Sequence, residues 1–399
     1  MRILYYSWDE FNGDDCRDAM LRLGHQVDVI KVNMKGYDLT PEIEKAFVEK
    51  LGIRQEQADN SGCKYDLIFS FDFFPNISEL CQKYGIPYVS WVFDCPHYTL
   101  DSHMTNNPVN RIFLFDKKLY AQMQRKGVNT VRYSTLAVNA ERLSKLCLAL
   151  DAETDGNIVY QHEVCFLGSL YDNEYNFYDQ VKYLPPYLKG YVDAVIAAQE
   201  RVFGADFFTM DSIFSDDHVR QLREFIKFEE TGKYEIDYDN VIRDILRKKV
   251  TVNERHHILE QMGRHFDTVL YTHHGAKDIS GVCNLGVADY NTKMPKVFRR
   301  SKINLNITLR SIMSGVPLRV IDILAAGGFL ITNYQEEIAE YFVDGQDLVI
   351  AYTPEDMLEK TAYYLEHDDE RKEIALNGQK KVLENFAYTK LLPQILSIS

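Results

Sequence analysis

SGVPLRVIDILAAGGFLITN, residues Ser314–Asn333, is the stretch whose reading decides the fold. Pro317 suits the first turn of a helix, and Ile321, Ile323, Leu324 and Ala325 give that helix an apolar body. Gly327 stops it, and Gly328–Thr332 follows as a short apolar strand. A helix delivered by a glycine into a buried strand is the repeating unit of a parallel sheet. Working outward, Lys302–Ile307 and Asp347–Ala351 read as neighbouring strands, with Glu163–Gly168 and Thr268–Thr272 further upstream. Between those last two, Tyr171 to about Asp267 is polar, aromatic and mostly helical, for example over His218–Phe228 and Ile242–Lys248. It reads as a helical insertion. Glu355–Glu384 is strongly helix-forming, and Glu366–Lys381 supplies a charged, solvated face.

The first 140 residues show the same alternation. Strands are expected over Arg2–Ser7, Val27–Val32, Tyr65–Ser70, Pro87–Phe93 and Arg111–Phe115, and near Val131–Ser134. Helices are expected over Cys16–Leu23, Ser78–Tyr84 and Lys117–Lys126, each of the first two closed by a glycine. Two doubly wound α/β halves are therefore predicted.

Composition narrows the function. With 399 residues, 46% hydrophobic and 26% charged, the chain is long enough for two cores and is not a disordered polymer. The net charge of −14 repels phosphate backbones and anionic head groups, so nucleic acid is not an expected partner. The basic runs Arg243–Lys249 and Arg299–Lys302 are short and read as solvated helix ends. Seven cysteines, an odd number with no C-x-x-C pair, fit neither a disulfide framework nor a zinc knuckle. No apolar run resembles a signal peptide or a bilayer span, which predicts a cytoplasmic protein without stable membrane insertion.

Ser314–Asn333 and its continuation, YFVDGQDLVIAYTPEDMLEKTAYYLEHDDERKEIALNGQKKV, resemble the C-terminal domain of GT-B glycosyltransferases, specifically the CgeB-like (spore maturation protein) family. MPKVFRRSKINLNIT, Met294–Thr308, is similar to the preceding segment of that family. SWVFDCP, Ser90–Pro96, resembles a W-x-x-D-x-P signature of the associated N-terminal domains. The resemblance is strong over Met294–Leu392, moderate over Arg2–Pro96 and poor in the insertion. It implies two Rossmann-like domains with parallel sheets facing a cleft. Residues 1–150 would form the acceptor domain and 151–384 the nucleotide-sugar donor domain, carrying the insertion at about 171–267. Residues 385–399 would hold a crossover helix, about Asn385 to Ile398, that returns to the first domain.

The same resemblance implies transfer of a sugar from a nucleoside-diphosphate donor, a UDP-sugar, to a hydroxyl of a protein or cell-surface glycan, with no metal and no cofactor beyond the donor. Diphosphate would lie at the helix start formed by Gly315, Val316 and Pro317, with Arg319 reaching a phosphate. The alternative is a capped helix whose Arg319 pairs with a nearby carboxylate. Asp322, in DILAAG, takes the place of the acidic residue that meets the ribose hydroxyls. Eight positions earlier stands Ser314, where retaining enzymes of this architecture carry a second glutamate. Asn304, Asn306 and Arg310 flank a strand end, where α/β sheets bind ligands; the two asparagines equally read as loop-capping hydrogen-bonders. Tyr290 falls where such enzymes contact the base, and Gly168-Ser169 could approach a phosphate or turn the chain. On the acceptor side, Asp94 matches the family motif and His97, which does not, lies beside it; a carboxylate or imidazole there can take the acceptor proton, and Asp94 equally reads as a turn residue bonding its own backbone before Pro96. Asn12-Gly13 occupies a loop facing a substrate, or is a plain helix cap. Asp237-Tyr-Asp239 reads as a charged loop, and the adjacent pairs His256-His257 and His273-His274 point apart, so no metal site is expected. Two rival readings are a nucleotide-sugar epimerase of this fold and a catalytically inert sugar-nucleotide-binding partner.

Overall fold

A computed structural model describes residues 1–34, 36–53, 62–154, 156–173, 176–228, 234–273 and 275–397. The chain divides into two units. Unit 1 comprises Met1–Asn139, Phe228–Asp237 and Ala387–Ser399; unit 2 comprises Ala140–Lys227 and Tyr238–Phe386.

In unit 1 the chain runs β1 (Arg2–Tyr6), α1 (Gly13–Arg22), β2 (Gln26–Ile30), α2 (Pro41–Leu51), β3 (Leu67–Phe71), α3 (Pro75–Tyr84), β4 (Tyr88–Val92), β5 (Asn110–Leu114), α4 (Lys117–Arg125) and β6 (Val131–Tyr133). The sheet is parallel, in the order β2-β1-β3-β4-β5-β6. Every residue of β3 (LIFSF) and β4 (YVSWV) is buried, as unbroken apolar runs in a doubly covered sheet require. One face packs Phe47, Leu51, Leu80 and Tyr84 from α2 and α3. The other packs Cys16, Ala19 and Met20 of α1 together with Tyr388, Leu392 and Ile395.

Unit 2 runs α5 (Ala140–Ala152), β7 (His162–Leu167), α6 (Pro186–Gln199), α7 (Asp216–Phe225), α8 (Tyr238–His265), β8 (Thr268–Tyr271), β9 (Val282–Asn284), α9 (Met294–Arg299), β10 (Ser301–Asn306), α10 (Leu318–Ala325), β11 (Leu330–Asn333), α11 (Glu336–Tyr341), β12 (Val349–Ala351), α12 (Pro354–Glu366) and α13 (Asp368–Asn385). Its parallel sheet has the order β12-β11-β10-β7-β8-β9. Helix α14 (Tyr388–Ile395) then belongs to unit 1.

The differences from the sequence reading have physical causes. Helix α5 groups with unit 2 rather than with residues 1–150, because Asp151 takes a bidentate salt bridge from Arg299 and the Cys147 thiol meets the Ala326 carbonyl. The continuous helix expected over Glu355–Glu384 breaks at His367 into α12 and α13. The last helix is shorter than Asn385 to Ile398, and Ile398 lies outside the described residues. Residues 228–237, read as part of the insertion, belong to unit 1: Glu235 accepts from the His103 backbone N–H at 3.0 Å, and Asp237 pairs with Lys126 at 3.1 Å.

In sheets of this kind the ligand crevice opens at the carboxyl ends of the strands where the winding order reverses. That point lies between β1 and β3 in unit 1, and between β7 and β10 in unit 2.

Candidate functional site

A cavity of about 860 Å³ opens at the reversal point of unit 1. Residues following four successive strands line it: Trp8 after β1, Tyr37 after β2, Asp72 after β3, and Asp94 and His97 after β4. Tyr234 and Ile236 from the 228–237 segment complete the wall. Asp72, Asp94 and His97 offer side-chain atoms that all lie within 4.8 Å of one another. Register puts them there: β3 and β4 pair directly, Phe71 opposite Trp91, and each strand hands its chain to an aspartate soon after it ends.

Asp72 is 2% exposed and holds a left-handed backbone, φ 58°. Its Oδ1 accepts the N–H groups of Phe93 and Asp94, both at 3.1 Å. Burial nonetheless pushes the Asp72 carboxyl up to about 7, because a charge without solvent is costly. Asp94 is raised to about 6, first by burial and then by the Asp72 charge, with His97 opposing. Burial lowers His97 below the usual imidazole range, leaving it neutral. The Thr99 hydroxyl donates to the Phe73 carbonyl at 2.7 Å, so His97 Nε2 accepts from Phe73 N–H at 3.1 Å and the ring proton is assigned to Nδ1. Two carboxyls this close, with raised values, hold a proton between them near neutrality.

Asp72 and His97 also have the chemistry to help hold a cation with Asp94. Part of that capacity is already spent, since Asp72 Oδ1 serves two backbone N–H groups and His97 Nε2 serves one. The Asp237-Tyr-Asp239 pair is divided between different cations: Asp237 meets Lys126 and Asp239 meets Arg223. His256 pairs with Asp172 and His257 with Glu200. His274 lies outside the described residues.

Unit 2 gathers the opposite charge. Helix α10 starts at Leu318, and Pro317 is its N-cap in extended conformation rather than its first helical residue. Pro317 itself makes no side-chain hydrogen bond to this helix start. Arg319, one residue in, is half-buried, packs over the Phe298 ring and stands 3.5 Å from the buried carboxylate of Asp322. The Tyr290 hydroxyl donates to the same carboxylate at 3.1 Å. The sequence-predicted residues Tyr290, Arg319 and Asp322 are thus one cluster, beside the helix start carrying Gly315 and the buried Val316. Ser314 is no carboxylate, but its hydroxyl donates to the buried Glu337 at 2.7 Å, so an acid stands next to that position.

Other expected residues are occupied elsewhere. Arg310 is held by Glu254, its Nε 3.0 Å from both oxygens, so its guanidinium is an internal ion pair rather than an open phosphate ligand. Asn306 donates to the hydroxyls of Thr308 and Thr332 and knits β10 to β11. Asn304 does the same through the carbonyls of Phe298 and Phe329. A Cβ on Gly13 would strike the Glu10 carboxylate at 2.0 Å, so this glycine makes room for a buried acid and not for a ligand. Asn12 makes no side-chain cap to α1. At Gly168 a Cβ would meet only the Phe166 ring at 3.4 Å, an ordinary contact. Ser169 uses its hydroxyl to accept from Tyr171 N–H at 3.0 Å.

Several residues of the site region are missing from the sequence reading, among them Trp8, Tyr37, Tyr234 and Asp72 in unit 1 and Glu337 in unit 2. Another is Arg255 on α8, whose buried guanidinium donates to the Ile307 carbonyl at 2.6 Å and to the Ser169 carbonyl. It packs over the rings of Phe166 and Tyr171, and ties the loop after β7 to the loop after β10 at the reversal point. Burial lowers its ionisation from the ordinary arginine value, with Arg319 adding to the lowering.

Residues 247–397 match a protein family described as glycosyl transferase-like. The chain is also similar to solved structures over nearly its whole length. An Anabaena protein, HepE, crystallised with UDP and glucose, gives a TM-score of 0.50 at 10% identity, covering 99% of this chain and 98% of that one. A glycosyltransferase from Rickettsia africae gives 0.49 at 10%, covering 100% and 99%. Sucrose-phosphate synthase from Thermosynechococcus elongatus gives 0.49 at 10%, covering 99% and 98%. No curated protein sequence matches. At such identities the likeness to HepE establishes the fold, two parallel six-stranded sheets of GT-B type. The chain thus carries a glycosyl transferase-like domain over residues 247–397 within a GT-B architecture.

Proposed function

We propose that this chain transfers a glycosyl unit from a nucleoside-diphosphate sugar to a hydroxyl of a protein or cell-surface glycan, in the cytoplasm and without a metal, as a CgeB-like enzyme. The observation that carries the reading is the Tyr290–Asp322–Arg319 cluster beside the α10 start, within the matched domain. Asp322 has the position and charge to accept from ribose hydroxyls, and Tyr290 lies against it for the base. The helix start and Arg319 supply positive potential for the diphosphate. The UDP bound to HepE favours a uridine donor. A metal would duplicate the charge that Arg319 and the helix already provide.

In the reaction, the acceptor O–H proton passes to the Asp94 carboxylate as its oxygen bonds to the sugar's anomeric carbon. The anomeric carbon–oxygen bond to the diphosphate breaks, and the diphosphate leaves with the electron pair. Asp94, raised to about 6, is ionised at neutral pH yet basic enough to accept that proton. Arg319 and the α10 start stabilise the charge that develops on the leaving group. A thermal-shift and titration panel with UDP, GDP, dTDP, CDP and their sugars tests the donor half. Selective binding that disappears in Asp322→Ala and Arg319→Ala is the expected result; no shift with any nucleotide in folded protein would overturn the assignment.

A further inference from the structure

The unit 1 cavity has two kinds of lining. The acids are Asp72 and Asp94 at the β3 and β4 ends, and Asp9, which already neutralises Lys31 by a salt bridge. Aromatic rings line the cavity as well. Trp8 stacks on Phe93 at 5.9 Å and 9°, while Tyr37 meets Tyr234 edge-on at 5.2 Å and 85°. The Tyr37 hydroxyl is raised first by burial, then by Tyr234, Asp72 and Asp94.

This lining selects a chemistry. Three carboxyls against one paired lysine repel phosphate, which disfavours lipid phosphates and nucleotides as acceptors. A wholly apolar acceptor would leave the buried carboxyl of Asp72 facing hydrocarbon, at the cost of its desolvation. A polypeptide segment would bring a run of amide groups needing partners along its whole length, whereas much of this lining is aromatic, with Trp8, Tyr37, Phe74 and Tyr234. A pyranose ring fits both kinds of lining, because its C–H faces lie on aromatic rings and its hydroxyl rim donates to carboxylates. The volume, about 860 Å³, falls in the range of small-molecule sites.

We infer that the acceptor is a neutral saccharide, its ring packed against Trp8, Tyr37 and Tyr234 and one hydroxyl turned to Asp94. This rests on the transferase reading above and specifies its acceptor. The segment carrying Tyr234 reaches unit 1 from between α7 and α8, so part of the acceptor wall is encoded in the second half of the sequence.

Two tryptophans make the test direct, since Trp91 is fully buried and Trp8 lines the cavity. The full chain is titrated with glucose, galactose, N-acetylglucosamine and cellobiose, and separately with a serine- and threonine-rich peptide, following tryptophan emission. UDP binding is measured in parallel by calorimetry. Saturable change with at least one saccharide, absent in Trp8→Phe and about tenfold weaker in Tyr234→Ala with UDP affinity unchanged, is the expected result. Response to the peptide alone, response to neither, or a saccharide response that survives in Trp8→Phe overturns the saccharide acceptor while leaving the donor reading in place. Loss of UDP binding in the parent chain overturns the transferase reading itself.

Discussion

Each unit winds a parallel six-stranded sheet and opens a crevice where the strand order reverses, yet the side chains gathered there differ in sign. At the β1/β3 reversal stand Asp72 and Asp94, with burial raising both carboxyls. At the β7/β10 reversal stand two guanidiniums, Arg255 and Arg319, with Asp322 beside the second. The same backbone places a crevice in each unit, and the proposed roles of the two differ through the charge that lines them.

The contrast can be broken most sharply at Asp94. Asp94→Asn keeps the shape and removes the base, so kcat should fall by about 10² to 10⁴ with donor affinity unchanged. A loss of only a few-fold would remove Asp94 from the proton transfer. Asp72→Asn probes the same crevice through stability. Its carboxyl titrates at about 7 when folded against about 3.9 unfolded, so its contribution is full below pH 4 and is lost as pH rises through 7. The variant should therefore be more stable than the parent at pH 8, by an amount on the order of 4 kcal/mol at most, with the gap closing near pH 4. Urea unfolding at the two pH values reads this directly.

On the cationic side, Asp322→Ala should weaken UDP binding by about 10- to 100-fold, the worth of a hydrogen bond to a charged group, as calorimetry would report. Arg310→Met should destabilise the fold by stranding the buried Glu254 and leave UDP affinity nearly untouched, which separates an internal ion pair from a ligand. A smaller effect is expected from pH alone. The rate should drop about fivefold between pH 6 and 5, as the Asp94 carboxylate is protonated and its free electron pair is lost. Chelation should change nothing; activity abolished by a chelator and restored by manganese would turn Asp72, Asp94 and His97 into a cation site.

Strands were the most legible part of the chain, because β3, β4, β10 and β11 are apolar runs bounded by turn residues. The edge strand β9 has three residues, none of them buried, and carries no such pattern. Helix α8 spans 28 residues, whereas within the mostly helical insertion the sequence singles out Ile242–Lys248 as the helical example there, without its bounds. Its buried face includes Asp244, Arg247, Glu254 and Arg255, and charges on the inner face erase the apolar period that a reader looks for. The site divides in the same way. Asp94 is readable because it stands just past a strand end, and Asp322 because it interrupts an apolar helix. Asp72 also follows a strand, but its meaning depends on β3 lying beside β4, a fact of register. Arg255 meets carbonyls 52 and 86 positions away, beyond the reach of any local pattern.

Helix α14 closes the core of unit 1, with Tyr388 against Trp91 at 5.7 Å and Leu392, Ile395 and Leu396 buried around it. During synthesis the first 139 residues therefore leave the ribosome with one sheet face covered by α1 alone, and must wait for nearly 250 more before the side chains of α14 arrive. Biogenesis of this protein is thus exposed to a long interval of open hydrophobic surface, during which a holding chaperone or a slowed translation rate would govern the yield. Nascent chains stalled before Tyr388 should be cut rapidly by proteases in a region that is resistant once the final turns have been made.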